Sequence, residues 1–177
     1  PATQVTREVT VEDTTAPVLA LVGDAAVTVE CGGAYTELGA DATDTCDGDL
    51  SGSVVVGGDA VDISATGVYT VTYDVQDAAG NDAAQISRTV TVEDTTAPVI
   101  TLNGDAAVSV ECKDVYVDAG ATATDACDGN LTLSIVRVNP VNTAVPDVYT
   151  ITYNVSDAAG NAAAEVTREV TVEDNTA

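Results

Sequence analysis

An internal repeat constrains this chain more than any other feature of its sequence. The segment 11–18 recurs unchanged as 92–99, and Cys31 and Cys46 recur 81 positions later. The motif Asp-Ala-Ala-Gly-Asn at 77–81 returns 80 positions later. Self-similarity at a nearly fixed interval is the signature of tandem units that share one folding plan. The 177 residues therefore hold copies of one small domain rather than a single large domain.

Aligning the copies predicts the organisation of the chain. Residues 13–92 are a first domain and residues 93–173 a second, while residues 174–177 begin the next linker. Residues 3–11 match 84–92 and 164–172 at the end of each copy, so residues 1–12 are predicted to be the last strand of a preceding repeat. That strand either belongs to an excerpt from a longer array or completes the sheet of a neighbouring molecule by strand addition.

Within each copy, the sequence pattern is that of short β-strands. Val and Thr alternate, for example along 68–75, and a period of two is typical of strands with one buried face. No long stretch carries apolar residues at the helical period. Turn residues separate the strands, which in the first copy are predicted at 17–21, 26–30, up to Asp44, 53–56, 61–64, 68–76 and 84–92. This series of short strands predicts a β-sandwich for each copy.

The composition limits what these sandwiches can contain. The chain has no Phe, Trp, Met or His, and its aromatic residues are 6 tyrosines. The cores are therefore expected to consist of Val, Ile, Leu, Ala and Tyr. Tyr69 begins a long strand in the manner of a tyrosine corner, in which the phenol anchors the preceding turn. We expect Tyr69 and Tyr73 to be a corner residue and a core residue rather than a ligand platform.

The same composition argues against catalysis. Without His, a Ser–His or Cys–His nucleophile is impossible. Acidic pairs are present, but turn-rich acidic loops lack the apolar cleft that raises the pKa of a catalytic acid. The sequence therefore predicts that the chain is not an enzyme.

The chain is strongly acidic. It has 29 Asp and Glu against 5 Lys and Arg, a formal net charge of −24. A field of that sign repels nucleic acids and anionic membranes, so we expect neither nucleic-acid binding nor direct membrane insertion. It also attracts divalent cations. Two interpretations stay open: a soluble surface whose self-repulsion is screened by salt, and a cation-binding surface.

Four motifs of the first copy have counterparts in the second: Asp-Thr-Thr-Ala-Pro at 13–17, Asp-Gly-Asp-Leu at 47–50, Gly-Val-Tyr-Thr-Val-Thr-Tyr at 67–73 and Asp-Ala-Ala-Gly-Asn at 77–81. Together they resemble the Ig-like repeats of bacterial surface proteins, which are relatives of the hyalin repeat. This resemblance implies an all-β fold of tandem Ig-like β-sandwich domains. It also implies a role in adhesins, surface layers, stalks or modules attached to enzymes, without catalysis.

Acidic residues collect at one pole of each predicted sandwich. The chain enters an Ig-like domain at the pole to which the loops 44–50 and 77–81 return, so carboxylates from three segments should converge. Hard Ca²⁺ binds about six to eight oxygen atoms, and carboxylates brought together without a cation repel one another. The sequence therefore predicts Ca²⁺ at the domain junctions, with ligands among Glu12, Asp13, Asp44, Asp47, Asp49, Asp77 and Asn81, and in the second copy Glu93, Asp94, Asp125, Asp128, Asn130, Asp157 and Asn161. The alternative is that these residues only shape turns.

The 4 cysteines, at repeated positions, indicate an oxidising compartment. Pairing within each domain, Cys31 with Cys46 and Cys112 with Cys127, would close a loop of about 16 residues and contribute roughly 3 kcal/mol. The other possibility is that Cys31 reaches Cys127 across the domain junction. We favour pairing within each domain, and we expect an extracellular or cell-surface location.

These observations favour a structural or adhesive repeat segment of a secreted or cell-surface protein. Such a segment would be part of a stalk, an adhesin or an extracellular filament stiffened by Ca²⁺ and disulfides. Its expected partners are neighbouring repeats of the same chain and, in a filament or surface assembly, other copies. Two alternatives stay open: a module that binds a glycan or a protein through its loops, and an ancillary domain of a secreted hydrolase.

Overall fold

The computed structural model describes residues 2–175, which form two compact units. Within that range, the first unit runs to Val29 and resumes at Gly33–Val92. The second unit consists of Glu30–Gly32 together with the residues from Glu93 onward. Of the predicted end segments, residue 1 and residues 176–177 lie outside the described part of the chain.

Short β-strands form both units, as the alternation of Val and Thr predicts. The strands of the first repeat are β1 (Val18–Leu21), β2 (Ala26–Glu30), β3 (Ala40–Asp44), β4 (Gly48–Asp49), β5 (Val55–Gly58), β6 (Gly67–Asp74) and β7 (Ile86–Glu93). Those of the second repeat are β8 (Val99–Leu102), β9 (Ala107–Glu111), β10 (Ala121–Asp125), β11 (Gly129–Asn130), β12 (Val136–Val138), β13 (Asp147–Asn154) and β14 (Val166–Glu173). The helical turns of the described residues are 3-10 turns, and none has the length and apolar character needed to cross a membrane.

The strands of each repeat form a three-stranded and a four-stranded sheet. In the first repeat the strand orders are β1-β3-β4 and β2-β7-β6-β5, and in the second they are β8-β10-β11 and β9-β14-β13-β12. The long strands β6 and β7 are antiparallel, with Tyr69 opposite Val90, whereas β9 runs parallel to β14. The predicted all-β, Ig-like sandwich architecture is confirmed.

Side chains from both sheets of each repeat form its core. The buried cluster of the first unit consists of Val29, Ala40, Val71, Tyr73 and Val90. The cluster of the second unit consists of Ile100, Ala121, Ala123, Ile151, Tyr153, Val155 and Val170. Small aliphatic residues and one tyrosine therefore supply the centre of each sandwich, as the composition predicts.

Tyr69 and Tyr73 have the two roles that the sequence predicts for them. The hydroxyl of Tyr69 donates hydrogen bonds to the backbone carbonyls of Asp62 (3.1 Å) and Ala65 (3.0 Å), so it anchors the turn before β6. The side chain of Tyr73 is fully buried in the core. The corner and the core residue are thus confirmed.

Two strand predictions differ from the structure. The strand expected near 61–64 is wrong, because Asp62 accepts hydrogen bonds from the N–H (2.9 Å) and hydroxyl (2.6 Å) of Ser64 and the chain turns there. Residues 2–12 are exposed and pair with no strand within 2–175, so their backbone polar groups are accessible to solvent. Their assignment to a preceding repeat stays a prediction.

Each unit also buries an arginine that the sequence analysis missed. Arg88 lies in β7 and is 1% exposed. Its guanidinium forms an ion pair with Glu37, donates from Nε to the carbonyl of Asp24 (2.9 Å) and lies 5.8 Å from the ring centroid of Tyr73. Strand alternation could have revealed it, because Arg88 shares the inward parity of Val90.

The second unit repeats this buried cation with a different acid. Arg168 lies in β14, is 1% exposed and forms an ion pair with Asp118. Its Nε donates to the carbonyl of Asp105 (2.8 Å), and its guanidinium lies 5.9 Å from the ring centroid of Tyr153. Burial and the hydrogen bond to Asp118 raise the pKa of Tyr153 to about 12, so the phenol keeps its proton.

Candidate metal centre

The loop after β3 is folded around an aspartate in both repeats. Asp44 Oδ1 accepts hydrogen bonds from the N–H groups of Cys46 (2.7 Å) and Asp47 (3.0 Å). Asp125 Oδ1 accepts the equivalent bonds from Cys127 (2.7 Å) and Asp128 (2.9 Å). Asp favours such turns because its short side chain can bond to the backbone that follows it. One oxygen of each carboxylate is used in this way, which leaves Oδ2 for another partner.

The loop between β6 and β7 is closed by an aspartate and an asparagine. Asp77 Oδ1 accepts a hydrogen bond from the N–H of Asn81 (2.7 Å), and Asp157 Oδ1 accepts one from the N–H of Asn161 (2.7 Å). The two aspartates are 6% and 8% exposed, which is unusual for a charged residue. These loops therefore hold a carboxylate in each unit at a fixed and buried position.

The same asparagines hold the segment that leads into each unit. Asn81 Nδ2 donates to the backbone carbonyl of Asp13 (3.3 Å), and Asn161 Nδ2 donates to that of Asp94 (3.1 Å). The asparagine amides thus act as clamps on the backbone of the leading segment. Their position brings the side chain of Asp13 or Asp94 to the loop aspartates.

The two loops of each unit are also bonded to each other. Asp47 Oδ2 accepts a hydrogen bond from the N–H of Ala78 (2.8 Å). Asp128 Oδ2 accepts the equivalent bond from the N–H of Ala158 (2.6 Å). The three acidic segments of a unit are therefore held together by side chain to backbone bonds.

Carboxylates from these segments converge in both units. Oxygen atoms of Asp13, Asp47 and Asp77 lie within 4.8 Å of one another, and so do those of Asp94, Asp128 and Asp157. Asp13 also groups with Asp44 and the thiol of Cys46. We call Asp13, Asp44, Asp47 and Asp77 the first acidic cluster. The second acidic cluster is Asp94, Asp128 and Asp157 together with Asp125, whose negative charge raises the pKa of Asp94.

Some carboxylate oxygen atoms of these clusters are buried and have no hydrogen-bond partner. Within the described residues, no hydrogen bond reaches Oδ2 of Asp13, Asp44, Asp125 or Asp157, although all four atoms are buried. A buried ionised oxygen without a partner is costly, so such atoms call for a ligand. The clusters offer oxygen donors on aspartates, which fits a hard cation such as Ca²⁺.

The thiol of Cys46 does not change that donor set. Its counterpart Cys127 is part of a disulfide, so a thiol ligand could exist in the first cluster only. The negative charge of Asp13 is the largest cause that raises the pKa of Cys46. A protonated thiol is a poor metal ligand, so oxygen is the donor that the two clusters share.

The neighbouring negative charges change the pKa of Asp94. Burial and the negative charges of Asp125, Asp157 and Asp128 raise the pKa of Asp94, although the N–H of Thr96 acts in the opposite direction. For Asp157, burial favours the neutral acid, but its hydrogen bonding with Asn161 outweighs burial and lowers the pKa. A bound cation would relieve the repulsion that acts on Asp94.

Some predicted ligands lie outside the clusters. Asp49 Oδ1 accepts hydrogen bonds from the N–H (2.9 Å) and hydroxyl (2.6 Å) of Ser51, and Asn130 Oδ1 accepts one from the N–H of Thr132 (3.0 Å). Both side chains therefore cap the turn that follows them. The side chains of Glu12 and Glu93 are exposed and belong to neither convergent group.

The structure pairs the cysteines differently from the favoured prediction. Cys31 is bonded to Cys127, with a Cα–Cα distance of 5.3 Å, while Cys46 and Cys112 are free thiols. The predicted pairings of Cys31 with Cys46 and of Cys112 with Cys127 are therefore wrong. The reason is that Glu30–Gly32 belongs to the second unit, where the N–H of Cys31 donates to the carbonyl of Glu93 (2.7 Å).

Comparisons with known proteins identify the family. A family model described as bacterial surface protein, Ig-like domain, matches residues 19–92 and 100–172. The pesticidal crystal protein Cry22Aa of Bacillus thuringiensis is 30% identical over 132 residues, which are 73% of this chain but 18% of that protein. The solved structure of the M60 catalytic domain with the CBM51-1 and CBM51-2 domains from Clostridium perfringens ZmpB has a TM-score of 0.50 at 14% identity, over 90% of this chain and 31% of that one, a likeness of fold. The chain belongs to the family of bacterial surface protein Ig-like domains.

Proposed function

We propose that this chain is a structural or adhesive repeat segment of a secreted or cell-surface protein, and that each acidic cluster binds Ca²⁺. The family assignment supports the surface location and a non-catalytic role. The observation that carries the calcium proposal is the buried, unpartnered Oδ2 of Asp157, whose carboxylate converges with those of Asp94 and Asp128. The first unit has an equivalent convergent group, and Oδ2 of Asp44 and of its counterpart Asp125 is buried and unpartnered in both units, which makes accidental crowding a poor explanation.

Calcium would act on the segment that leads into each unit. In the second unit this segment supplies Asp94, while the loops supply Asp128 and Asp157. A cation shared by these three residues replaces their mutual repulsion with attraction. It would thereby fix the linker segment on the unit that follows it, which restricts bending along a chain of repeats.

The array itself is the wider proposal. Neighbouring repeats of the same chain are the proposed partners, in a stalk, an adhesin or an extracellular filament. The match of both copies to the bacterial surface Ig-like family supports this role. The proposal assigns no catalytic role to any residue.

Calorimetric titration of Ca²⁺ tests the proposal. We expect two binding events in the intact chain, one for each cluster, and a higher melting temperature in calcium than in chelator. Asp157→Asn should abolish the event of the second unit and leave that of the first. Asp77→Asn should have the reciprocal effect, because the two residues occupy equivalent positions.

The matched control is Asp49→Asn, which removes the same charge from a predicted ligand that caps Ser51 instead. It should leave both binding events in place. Sodium chloride at the ionic strength of the calcium buffer separates site binding from charge screening. The calcium proposal fails if sodium raises the melting temperature as much as calcium does, or if Asp157→Asn retains both events.

In chelator, Asp157→Asn should melt at the same temperature as the native chain or higher. The Asn side chain keeps the oxygen that accepts the N–H of Asn161 (2.7 Å), and it replaces a repelling oxygen with a donor. In calcium the same variant should lose stability. If Asp157 only shaped a turn, the effect of Asp157→Asn on the melting temperature would not depend on calcium in this way.

A second candidate is an ancillary segment of a longer multidomain protein. The similarity to Cry22Aa supports it, because the matched stretch is 18% of that protein. Such a segment could recognise a glycan or a protein through its loops. Selective binding of the calcium-loaded chain on a glycan array would favour this role over that of a stalk, and uniform absence of binding would count against it.

A further inference from the structure

We propose that the free thiols of Cys46 and Cys112 are the two ends of a repeating disulfide pattern, in which Cys46 of one copy of this chain bonds to Cys112 of a second copy. This inference rests on the proposed role as a repeat segment and names its covalent partner. It does not require calcium. The free thiols, the one disulfide and the sequence repeat carry it together.

The existing bond supplies the pairing rule. Cys31 of the first sequence repeat is joined to Cys127 of the second. By the 81-residue repeat, Cys112 is the counterpart of Cys31, and Cys46 is the counterpart of Cys127. Applied to the free thiols, the same rule joins the Cys112 of one copy to the Cys46 of another.

The free cysteines are held as their bonded counterparts are. The N–H of Cys46 donates to Asp44 Oδ1 at 2.7 Å, as that of Cys127 does to Asp125 Oδ1 at 2.7 Å. The N–H groups of Cys31 and Cys112 donate to the carbonyls of Glu93 and Glu173, each at 2.7 Å. Both free thiols therefore already lie on backbone that is arranged as in the bonded pair.

Backbone conformation beyond the cysteine is also preserved. Gly32 has φ 73° and Lys113 has φ 69°, and Lys113 is the non-glycine residue with positive φ among the described residues. A left-handed conformation is unfavourable for lysine. The residue after the free Cys112 thus has the same left-handed backbone conformation as the residue after the bonded Cys31, although lysine does not favour it.

Lys113 also bears on how readily the proposed bond forms. A Cβ placed on Gly32 would lie 3.0 Å from the backbone oxygen of Ala126, next to Cys127. The equivalent neighbour of Cys46 is Thr45. The bond at Cys112 therefore requires a small displacement beside Lys113, and Lys113→Gly should increase its yield.

The oxidation is a two-electron reaction. The thiolate of Cys46 attacks one sulfur of a small-molecule disulfide, which releases one thiol and forms a mixed disulfide. The thiolate of Cys112 from the second copy then displaces the other half as a second thiol. The products are one protein disulfide and two small-molecule thiols, so the small-molecule disulfide is the oxidant.

Because each copy offers one thiol of each type, the contact is head to tail. A heterologous contact that does not close generates an open series of copies. Oxidation of the native chain should therefore give a ladder of dimers, trimers and larger species on a non-reducing gel. Mass spectrometry should identify the peptide pair that joins Cys46 to Cys112.

Two single variants make the test specific. Cys46→Ser retains only the thiol of Cys112, and Cys112→Ser retains only that of Cys46. With oxidised glutathione, each variant alone should stay monomeric, while an equal mixture should give a dimer and no larger species. The double variant should stay monomeric and keep the bond between Cys31 and Cys127, which the same peptide analysis checks.

Three results would overturn the inference: a mixture that stays monomeric, variants that dimerise alone as readily as mixed, or a bond between Cys46 and Cys112 within one copy. The reactions are run with calcium and with chelator. If the dimer forms in chelator and calorimetry shows no calcium binding, the calcium proposal is wrong and the disulfide inference is supported. If calcium binds but no dimer forms, the disulfide inference is wrong and the calcium proposal is supported.

Discussion

Arg168 carries its positive charge into the interior of the second unit, where burial by itself disfavours the charged form. Asp118 compensates this charge, and its side chain is 1% exposed. Asp118 also pairs with Arg137 at 3.0 Å, but the side chain of Arg137 is 48% exposed. One carboxylate therefore has a buried and an exposed cationic partner, which allows burial to be tested with the anion held constant.

Arg168→Ala should destabilise the second unit by about 3–5 kcal/mol, because Asp118 would lose its buried partner. Arg137→Ala should cost no more than about 1 kcal/mol, as is typical of exposed ion pairs. Urea denaturation of both variants measures the difference. Equal losses of unfolding free energy for the two variants would show that burial does not set the strength of the ion pairs of Asp118.

In the first unit, the carboxylate of Glu37 predicts a dependence of stability on pH. Burial raises its pKa, but hydrogen bonds from Tyr35, Tyr73, the N–H of Gly39 and Arg88 outweigh that effect and lower the pKa to about 2 from 4.5. A lowered pKa in the folded state means that the ionised form stabilises the fold. This contribution is complete above the unfolded pKa and is lost as the pH falls from 4.5 towards 2.

The melting temperature of the first unit, measured in chelator, should therefore fall steeply in that acidic range. Glu37→Gln should lower the melting temperature near neutral pH and flatten its dependence on acid, because no charge is left to lose. Asp49→Asn, at an exposed carboxylate, serves as the control and should keep the steep fall. An unchanged slope in Glu37→Gln would contradict the assignment.

At the scale of strands and loops, the sequence predicted what depends on local pattern. Alternation of Val and Thr revealed β6 and β7, and turn residues marked the acidic loops. The convergence of Asp13, Asp47 and Asp77 followed from the Ig-like plan, in which these segments share a pole. The failed strand near 61–64 shows the limit, since a side chain bond from Ser64 to Asp62 competes with extended backbone.

Sequence could not provide what depends on contacts between distant residues. The anions that pair with Arg88 and Arg168 lie 51 and 50 residues away along the chain, and no local pattern indicates them. The cysteine pairing failed for a similar reason. A repeat boundary drawn from sequence assigns Cys31 to the first domain, whereas the chain at Glu30–Gly32 belongs to the second unit.

The disulfide should contribute to the stability of the second unit, which holds both of its cysteines. Replacing Cys31 and Cys127 together by Ser should cost about 2–5 kcal/mol, because the bond constrains the unfolded chain. The matched control replaces the free thiols of Cys46 and Cys112 and should have little effect. Thermal unfolding of both double variants measures this, and equal melting temperatures would contradict the expectation.

For the molecule as a whole, a net charge of −24 has two consequences. It keeps the chain soluble and it opposes compaction through self-repulsion. The acidic clusters concentrate part of that repulsion at fixed places, where a divalent cation would offset it. Small aliphatic cores and buried ion clusters would then supply the rest of the stability of each sandwich.

The bond between Cys31 and Cys127 also decides how this molecule would respond to tension. Cys31 and Cys127 are 96 positions apart, and a pull on the two ends of the chain passes between them through the sulfurs, so the stretch between them carries no load. We predict that single-molecule stretching of the oxidised chain does not extend this stretch, and that reduction makes about 300 Å of additional length available. Equal extensions before and after reduction would contradict this. In an oxidised chain of this design the covalent bond sets how much of the chain can be drawn out, while the strands outside the bridged stretch still bear the load.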